Sequence, residues 1–300
     1  MLAVVGTAGA VPVAHAGLAT PLPGIPAWLY WTAVVWLGLC IGSFLNVVVH
    51  RLPRMMERQE RVWAREALAL PAEPEAAPYD LVVPRSACPG CGHLIRAHEN
   101  VPVLSWLVLR GRCAHCGMAI SARYPVVEAL TAILTVVVVV LYGHGWTTAW
   151  ALLFTWALLS AALIDLDHQL LPDAIVLPLL WLGLLVNVPG TFVPLEEAVV
   201  GAAVGYGALW SIYWAFKLLT GKEGMGYGDF KLMGAMGAWF GWIVLPQLVL
   251  LAALSGIVGA LVLRLAGRLD GGQPMPFGPF IAAAGWLVLV LRGSGLALPF

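Results

Sequence analysis

The sequence predicts an all-α polytopic membrane protein with about eight transmembrane helices. Of its 300 residues, 61% are hydrophobic and only 11% are charged, whereas soluble domains carry about 25% charged residues. The apolar residues form long runs that are separated by short breaks containing Gly, Pro or charged residues. The net charge is zero, so no overall field attracts nucleic acid. Because the chain is so apolar, membrane lipid is its expected surrounding.

The first apolar run, Trp28–Val49, has the composition of a membrane span. About 20 apolar residues cross a bilayer as a helix, because lipid tolerates only a backbone whose hydrogen bonds are satisfied internally. The residues before this run contain no Lys or Arg, which a cleaved signal peptide has near its start. We therefore expect an N-terminal tail at residues 1–27 and a first transmembrane helix at residues 28–50.

Residues 51–124 have the composition of a soluble insertion, because they contain ten of the sixteen Lys and Arg residues and four of the five cysteines. A helix is expected at Arg54–Leu70. From residue 125 to residue 300 the chain is again apolar, and we expect a membrane core of seven helices. These helices are expected near residues 126–142, 146–164, 174–188, 197–219, 231–245, 247–265 and 276–292.

The positive charges predict the orientation of the chain. Cytoplasmic loops of membrane proteins are enriched in Lys and Arg. If residues 51–124 face the cytoplasm, alternation of eight spans places fifteen of the sixteen Lys and Arg residues at cytoplasmic ends, and only Arg292 lies near an outer end. We therefore expect the insertion to lie in the cytoplasm.

Two C-x-x-C pairs within the insertion predict a metal site, Cys88 with Cys91 and Cys113 with Cys116. Each pair aims two thiolates at one point, and two pairs complete the tetrahedral coordination that zinc prefers. Four thiolates leave no open position for water or substrate, so the zinc is expected to be structural. A thiol redox site is the alternative, and the ribbon-like spacing of two pairs disfavours it.

Ionisable residues at the edges of membrane spans are costly to bury and are therefore functional candidates. Asp165 follows the apolar run Ala157–Ile164, and Asp229 precedes the span expected at 231–245. The expected topology brings both to the cytoplasmic membrane face. Two carboxylates held close at low dielectric share a proton, and such a pair can activate a water and polarise a peptide carbonyl. From the residues alone, a structural role as capping or solvated groups is an equally good interpretation.

Other polar residues near this face have plainer interpretations. Asp173 follows Pro172 and is expected to cap a helix N-terminus, and Asp167 is expected to face solvent or to support the site. Glu128 lies near the start of a span, where a carboxylate matches the helix dipole. Three histidines of the insertion are interpreted as surface groups, with metal ligation as the alternative: His93, His98 and His115.

Four motifs, in this order along the chain, resemble those of the type IV prepilin peptidases. They are Gly42–Pro53 at the end of the first span, the two C-x-x-C pairs, Leu163–Asp173 and Gly224–Leu232. The chain is similar to this family over nearly its whole length, apart from residues 1–27. The family consists of bifunctional prepilin leader peptidases and N-methyltransferases of the GxGD aspartic type.

This resemblance implies a reaction and a location. It implies that Asp165 and Asp229 are the catalytic residues of an aspartic endopeptidase, and that the four paired cysteines bind zinc. The substrates would be type IV prepilins and the related pseudopilins of type II secretion, cut at the cytoplasmic face of the bacterial inner membrane. The new amino terminus would be methylated with S-adenosylmethionine as methyl donor. No Rossmann-like glycine motif marks a donor site, so the first-span motif and the zinc insertion are the expected regions.

Two other functions are compatible with parts of the pattern. A proton-coupled transporter would carry its Asp residues near mid-membrane, beside broken helices, whereas Asp165 and Asp229 are expected at cytoplasmic helix ends. A membrane scaffold with a structural zinc ribbon would tolerate neutralisation of both residues. A zinc metalloprotease is disfavoured because the sequence contains no H-E-x-x-H.

Overall fold

The computed structural model describes residues 21–71, 77–222, 224–265, 267 and 275–296. The regular secondary structure of these residues is helical throughout, so the predicted all-α class is confirmed. The α-helices are α1 Ala27–Ala67, α2 Leu104–Val108, α3 Arg123–Tyr142, α4 Trp146–His168, α5 Asp173–Val186, α6 Leu195–Thr220, α7 Tyr227–Phe240, α8 Leu245–Leu265 and α9 Gly278–Gly293, with a 3-10 turn at Ala97–Asn100.

Five of the described helices, α1, α3, α4, α6 and α8, are long and apolar enough to cross a membrane. The protein is therefore a multi-pass membrane protein, as predicted. The helices α5, α7 and α9 have 14, 14 and 16 residues, fewer than the about 20 that a full crossing takes. The number of eight full crossings stays a prediction, although every segment expected to cross is a helix.

The expected first span and the expected helix at Arg54–Leu70 are one continuous helix, α1, of 41 residues. The apolar run ends at Val49, but the residues after it are rich in Met, Glu, Arg and Ala, which are good helix formers. Pro53 lies inside this helix. The change in composition thus marks where α1 becomes polar and does not mark a helix end.

α7 is the central helix of the membrane core. Every residue from Asp229 to Phe240 except Lys231 is buried, because α5, α6 and α9 pack around this helix. The ring of Trp239 lies against Phe154 of α4, with 4.7 Å between ring centroids. This packing fixes the position of the N-terminal turn of α7, where Asp229 lies.

α6 and α7 approach each other closely at glycines. A Cβ on Gly201 would lie 2.4 Å from the carbonyl oxygen of Gly237, and one on Gly205 would lie 2.5 Å from that of Met233. Small residues at such positions let helix backbones come together in a membrane, where close packing drives association.

We expect Gly201→Ala to destabilise the protein, because its added methyl group meets backbone that cannot move aside without separating the two helices. Overpacking of this kind costs about 1–3 kcal/mol, and the rigid neighbour places the expected loss at the upper end. Gly207→Ala, on the same helix, is the matched control, since a Cβ there has no neighbour within 4 Å. Thermal unfolding of both variants in detergent checks this. Equal melting temperatures would contradict the close approach.

Two polar side chains hold the C-terminal end of α7. Asn187 is fully buried; its Nδ2 donates to two carbonyl groups at the end of α7, and its Oδ1 accepts from two backbone N–H groups that follow α5. Arg292 donates to the carbonyl oxygens of Phe192 at 2.7 Å and Phe240 at 2.9 Å. Arg292 is the one Lys or Arg residue that the expected topology places near an outer end. It bonds to backbone at the end of α7 that is remote from Asp229.

Candidate active site and metal centre

Asp165 lies in the last turn of α4 and is only 5% exposed. Its Oδ2 is buried and makes no hydrogen bond of good geometry, although the backbone N–H of Gly278 interacts with this carboxylate. The first residue of α9, Gly278, lies against it, because a Cβ on Gly278 would be 2.6 Å from that oxygen. A buried polar atom without a partner is costly. This oxygen is therefore a candidate to meet a water or a substrate group.

Asp229 is the third residue of α7 and is 7% exposed. Its Oδ2 accepts a hydrogen bond at 3.2 Å from the N–H of Gly226, the residue before the helix. This bond is one half of a capping box, and the positive end of the helix dipole favours a negative charge at this position. The glycine-rich turn before α7 thus holds the carboxylate in place.

The structure brings Asp165 and Asp229 close enough to interact electrostatically. Leu171, in the loop after α4, joins their surroundings. A Cβ on Gly228 would lie 2.7 Å from Leu171 Cβ, and one on Gly278 would lie 3.0 Å from Leu171 Cδ1. The end of α4 and the starts of α7 and α9 therefore meet at one point. Two carboxyl groups so placed cannot both ionise easily and can share a proton.

The two neighbouring aspartates have partners that the sequence did not reveal. Asp173 makes no capping hydrogen bond, so the prediction of a helix cap is wrong; its carboxylate accepts hydrogen bonds from Lys231 Nζ at 2.7 and 2.8 Å. Asp167 accepts two hydrogen bonds from the guanidinium of Arg123, at 2.8 and 2.5 Å. Each ion pair joins segments that are far apart in sequence, and periodicity carries no signal for such contacts.

The four paired cysteines form a cluster whose Sγ atoms all lie within 4.8 Å of one another. The Sγ atoms of Cys88 and Cys116 are 3.8 Å apart. Zinc–sulfur bonds of about 2.3 Å in a tetrahedron place the sulfur atoms about 3.8 Å from each other. The cluster therefore fits a zinc ion, and its four thiols fill the coordination sphere.

The two halves of the cluster have the same hydrogen-bond register, 25 residues apart. In the first half the N–H of Cys88 donates to the carbonyl of His93 at 2.9 Å, and in the second the N–H of Cys113 donates to that of Met118 at 2.8 Å. The glycine that follows each pair has a positive φ, 71° and 72°, which strains any other residue. This local duplication lies in the backbone, and the sequence shows it only as a repeated C-x-x-C-G.

Backbone N–H groups favour the thiolate form of the first cysteine in each half. In the first half these groups, chiefly that of Gly90, lower the pKa of Cys88 to about 7. In the second half the N–H groups of Cys116 and His115 lower the pKa of Cys113. The thiolate is the form that binds metal, so each turn prepares a ligand.

His93 and His115 lie beside the cluster and are not part of its ligand set within the described residues. Their rings stack with 5.3 Å between centroids, and His93 Nε2 lies 3.1 Å from Glu99 Oε2. The structure thus gives no support to the alternative that these histidines replace a cysteine as ligands.

The insertion and the aspartates lie at the same end of the helix bundle. Arg123, which begins α3 directly after the insertion, pairs with Asp167 in the last turn of α4. His50 of α1 interacts electrostatically with His168, the last residue of α4. The last turn of α4, which carries Asp165, is therefore in contact with the insertion side of the molecule.

Comparison with known proteins gives the family. The model of the type IV leader peptidase family matches residues 152–261, and that of the bacterial peptidase A24 N-terminal domain matches residues 36–142. A relative from Pseudomonas aeruginosa is 56% identical over 255 residues, 85% of this chain and 88% of that protein. The chain belongs to the type IV leader peptidase family. In this leader peptidase both aspartates lie in the second matched region, and the four clustered cysteines lie in the first.

Two further relatives of this leader peptidase agree. One from Stutzerimonas stutzeri is 55% identical over 255 residues, 85% of this chain and 88% of that protein. One from Aeromonas salmonicida is 55% identical over 273 residues, 90% of this chain and 94% of that protein. All three relatives are named prepilin leader peptidase/N-methyltransferase. No solved structure matches the chain.

Proposed function

We propose that this chain is a prepilin leader peptidase of the bacterial inner membrane and that Asp165 and Asp229 are its catalytic residues. The observation that carries the proposal is the pair of buried carboxyl groups, Asp165 and Asp229, which are close enough to interact, while Asp165 Oδ2 makes no hydrogen bond of good geometry. The names of the curated relatives support the same reaction. Type IV prepilins and related pseudopilins are the proposed substrates.

The proposed mechanism needs only the two carboxyl groups and a water. The ionised carboxylate takes a proton from the water as its oxygen attacks the peptide carbonyl carbon, and the protonated carboxyl group donates to the carbonyl oxygen. When the carbon–nitrogen bond breaks, the leaving nitrogen receives the proton that the first carboxylate took. The second carboxyl group regains its own proton as the carbonyl forms again.

The reaction is proposed to take place at the cytoplasmic surface of the membrane. A prepilin places its apolar helix in the bilayer and its leader in the cytoplasm, so the bond to be cut lies near the inner leaflet. Both aspartates are at helix ends on the side of the insertion. The distribution of Lys and Arg supports a cytoplasmic position for that side. This position at helix ends also disfavours the transporter interpretation.

Zinc is the proposed metal of the four-cysteine cluster, and its proposed role is structural. The cysteines would hold it with no open coordination position, so it would contribute fold and not catalysis. The insertion has little else to hold it, because only Cys88, Pro102 and Gly111 are buried among residues 77–122. Small units without a sufficient core usually need a metal or disulfides.

The second proposed activity is N-methylation of the amino terminus that cleavage creates. S-adenosylmethionine is the proposed donor, which supplies an electrophilic methyl group when it is bound. The support for this activity is the second half of the name that the curated relatives carry.

The test is to reconstitute the full chain with a type IV prepilin in liposomes, with and without S-adenosylmethionine, and to analyse the product by mass spectrometry. We expect leader removal in both samples and one added methyl group on the new amino terminus only when the donor is present. An intact prepilin, under conditions in which the P. aeruginosa relative removes the leader, would overturn the peptidase proposal in favour of a scaffold. Cleavage without methylation would overturn the second activity alone.

A further inference from the structure

A cavity of about 680 Å³ lies between α1, α3 and the cysteine insertion. Ligand pockets typically have volumes of about 300–1,000 Å³. Neither Asp165 nor Asp229 lines this cavity, so it is separate from the proposed peptidase site. The mechanism of peptide cleavage makes no use of it.

The lining of this cavity is mixed in chemistry. On the α1 side, Ser43, Asn46 and His50 follow each other at spacings of three and four residues, so they share one helix face. The insertion side contributes the aromatic Trp106. The lining also contains three arginines, a second acid and two of the clustered cysteines: Arg51, Arg54, Arg85, Glu99, Cys88 and Cys113. Charges of both signs beside an aromatic ring suit a ligand that has a flat ring system and a zwitterionic tail.

Glu128 is the buried acid of this cavity, with 8% of its surface exposed. Its Oε2 accepts a hydrogen bond at 2.7 Å from the N–H of Val103 in the insertion, and its carboxylate also interacts with the hydroxyl of Ser43. The expected match of Glu128 to the helix dipole stays a prediction, and the carboxylate has direct partners besides. Its carboxylate joins α1, α3 and the insertion.

The backbone around Glu128 is constrained on two sides. Val103 has a φ of 59°, a left-handed conformation that is a genuine outlier for a β-branched residue and that is found mainly at functional sites. On the other side, a Cβ on Gly42 would lie 2.6 Å from the Cα of Glu128. The carboxylate is thus held in a fixed position at the cavity wall.

We propose that this cavity binds the methyl donor and the incoming amine, and that Glu128 is the counter-charge for both. This proposal rests on the proposed methyltransferase function. The donor carries a positive sulfonium and the substrate a positive amino terminus, and a buried carboxylate attracts such groups strongly because water screens it little. The ring of Trp106 would receive the adenine.

Glu128 is also placed to take the proton that the amine must lose. An α-amino group has a pKa of about 7.7–8.0, so it is mostly protonated near neutral pH and has no lone pair for attack. After Glu128 accepts one proton, the amine lone pair forms the nitrogen–carbon bond. The carbon–sulfur bond breaks, and its electron pair stays on sulfur, which becomes neutral.

The position of the cavity suits a product of the aspartate site. His50 lines the cavity and interacts electrostatically with His168 at the end of α4. Tyr124 also lines it and follows Arg123, the partner of Asp167. The cavity therefore lies at the same end of the helix bundle as the last turn of α4, which carries Asp165. An amino terminus released at the aspartates is released at that end.

The test is isothermal titration of the detergent-purified full chain with S-adenosylmethionine and with S-adenosylhomocysteine, whose sulfur is uncharged. We expect Glu128→Gln to weaken binding of the charged ligand by about tenfold or more and to change binding of the neutral ligand much less. Glu57→Gln, at an exposed position outside the cavity, is the matched control and should bind both ligands like the unchanged chain.

A second variant, Val47→Trp, fills the cavity with a bulky ring and should weaken both ligands equally. Prepilin cleavage by each variant reports folding, and we expect it to be retained because the aspartates lie elsewhere. If Glu128→Gln does not fold, Val47→Trp decides the location. Unchanged binding in the folded variants would overturn this proposal and leave the proposed function intact, whereas no binding by the unchanged chain would overturn the proposed methyltransferase itself.

Discussion

Replacing either Asp165 or Asp229 by Asn is expected to stop leader cleavage, with a loss of about a thousandfold or more in rate. Asn has nearly the same size and keeps an oxygen, so packing against Gly278 and the bond from Gly226 are retained. It can neither take a proton from water nor donate one as a carboxylic acid does. Loss of cleavage with retained folding would therefore report the chemistry itself.

Asp167→Asn is the control for this experiment, because Asp167 lies one half-turn further along and bonds to Arg123. A partly exposed ion pair contributes about 1 kcal/mol or less to stability, so most of the cleavage activity should remain. Cleavage should be measured with a prepilin in the same liposomes for all three variants, with melting temperature as the check on folding. Near-normal cleavage by Asp165→Asn or by Asp229→Asn would remove that residue from catalysis.

The unchanged enzyme is expected to lose cleavage activity on both sides of a pH optimum. A proton-sharing pair needs one carboxylate ionised and one protonated, so activity falls at low pH when both are protonated and at high pH when both are ionised. The pH dependence of kcat/KM for a prepilin peptide checks this. A flat profile would point to a mechanism without a shared proton.

Replacing a clustered cysteine is expected to cost the insertion its metal and its fold. Structural zinc contributes about 10–16 kcal/mol of apparent binding free energy in zinc-finger peptides, and residues 77–122 bury too few side chains to replace it. Cys113→Ser should therefore contain no stoichiometric zinc by elemental analysis. Limited proteolysis should cut this variant between residues 77 and 122 much faster than the unchanged chain.

Cys40→Ser is the matched control for the cysteine variant, since Cys40 is an exposed residue of α1 and is not in the cluster. It should retain one zinc per chain and normal resistance to protease. Acidification should release the metal from the unchanged chain, because protons compete with zinc for the thiolates. A Cys113→Ser protein that keeps its resistance to protease without metal would show that the insertion is stable by other means.

The helices could be predicted from the sequence because apolar runs and their Gly, Pro and charged breaks reflect local physics. The largest error in a helix boundary was at the end of α1, because the apolar pattern ends at Val49 but helix-forming residues continue to Ala67. The cysteine cluster could also be predicted from the sequence, because C-x-x-C spacing fixes a turn by itself. The burial of α7 could not be predicted, because the helices that enclose it are distant in sequence.

The polar contacts between segments could not be predicted. Asp173 has the local signature of a helix cap, yet Lys231, 58 residues away, holds its carboxylate. Glu128 has the signature of a dipole partner, yet it bonds to Val103. Tertiary contact decides such cases, and a single sequence carries no record of it. The choice of Asp165 over Asp167 likewise came from family resemblance and not from spacing.

The matching registers of the two cysteine turns have a consequence for how the insertion responds to metal supply. Each turn offers two thiolates, and neither can complete a four-coordinate site without the other. Loading should therefore be all-or-none, with every chain either fully closed around an ion or open in both halves. At limiting zinc the population would divide into two kinds of molecule. Metal supply would then set how many chains carry a folded insertion, and not how well each one is folded.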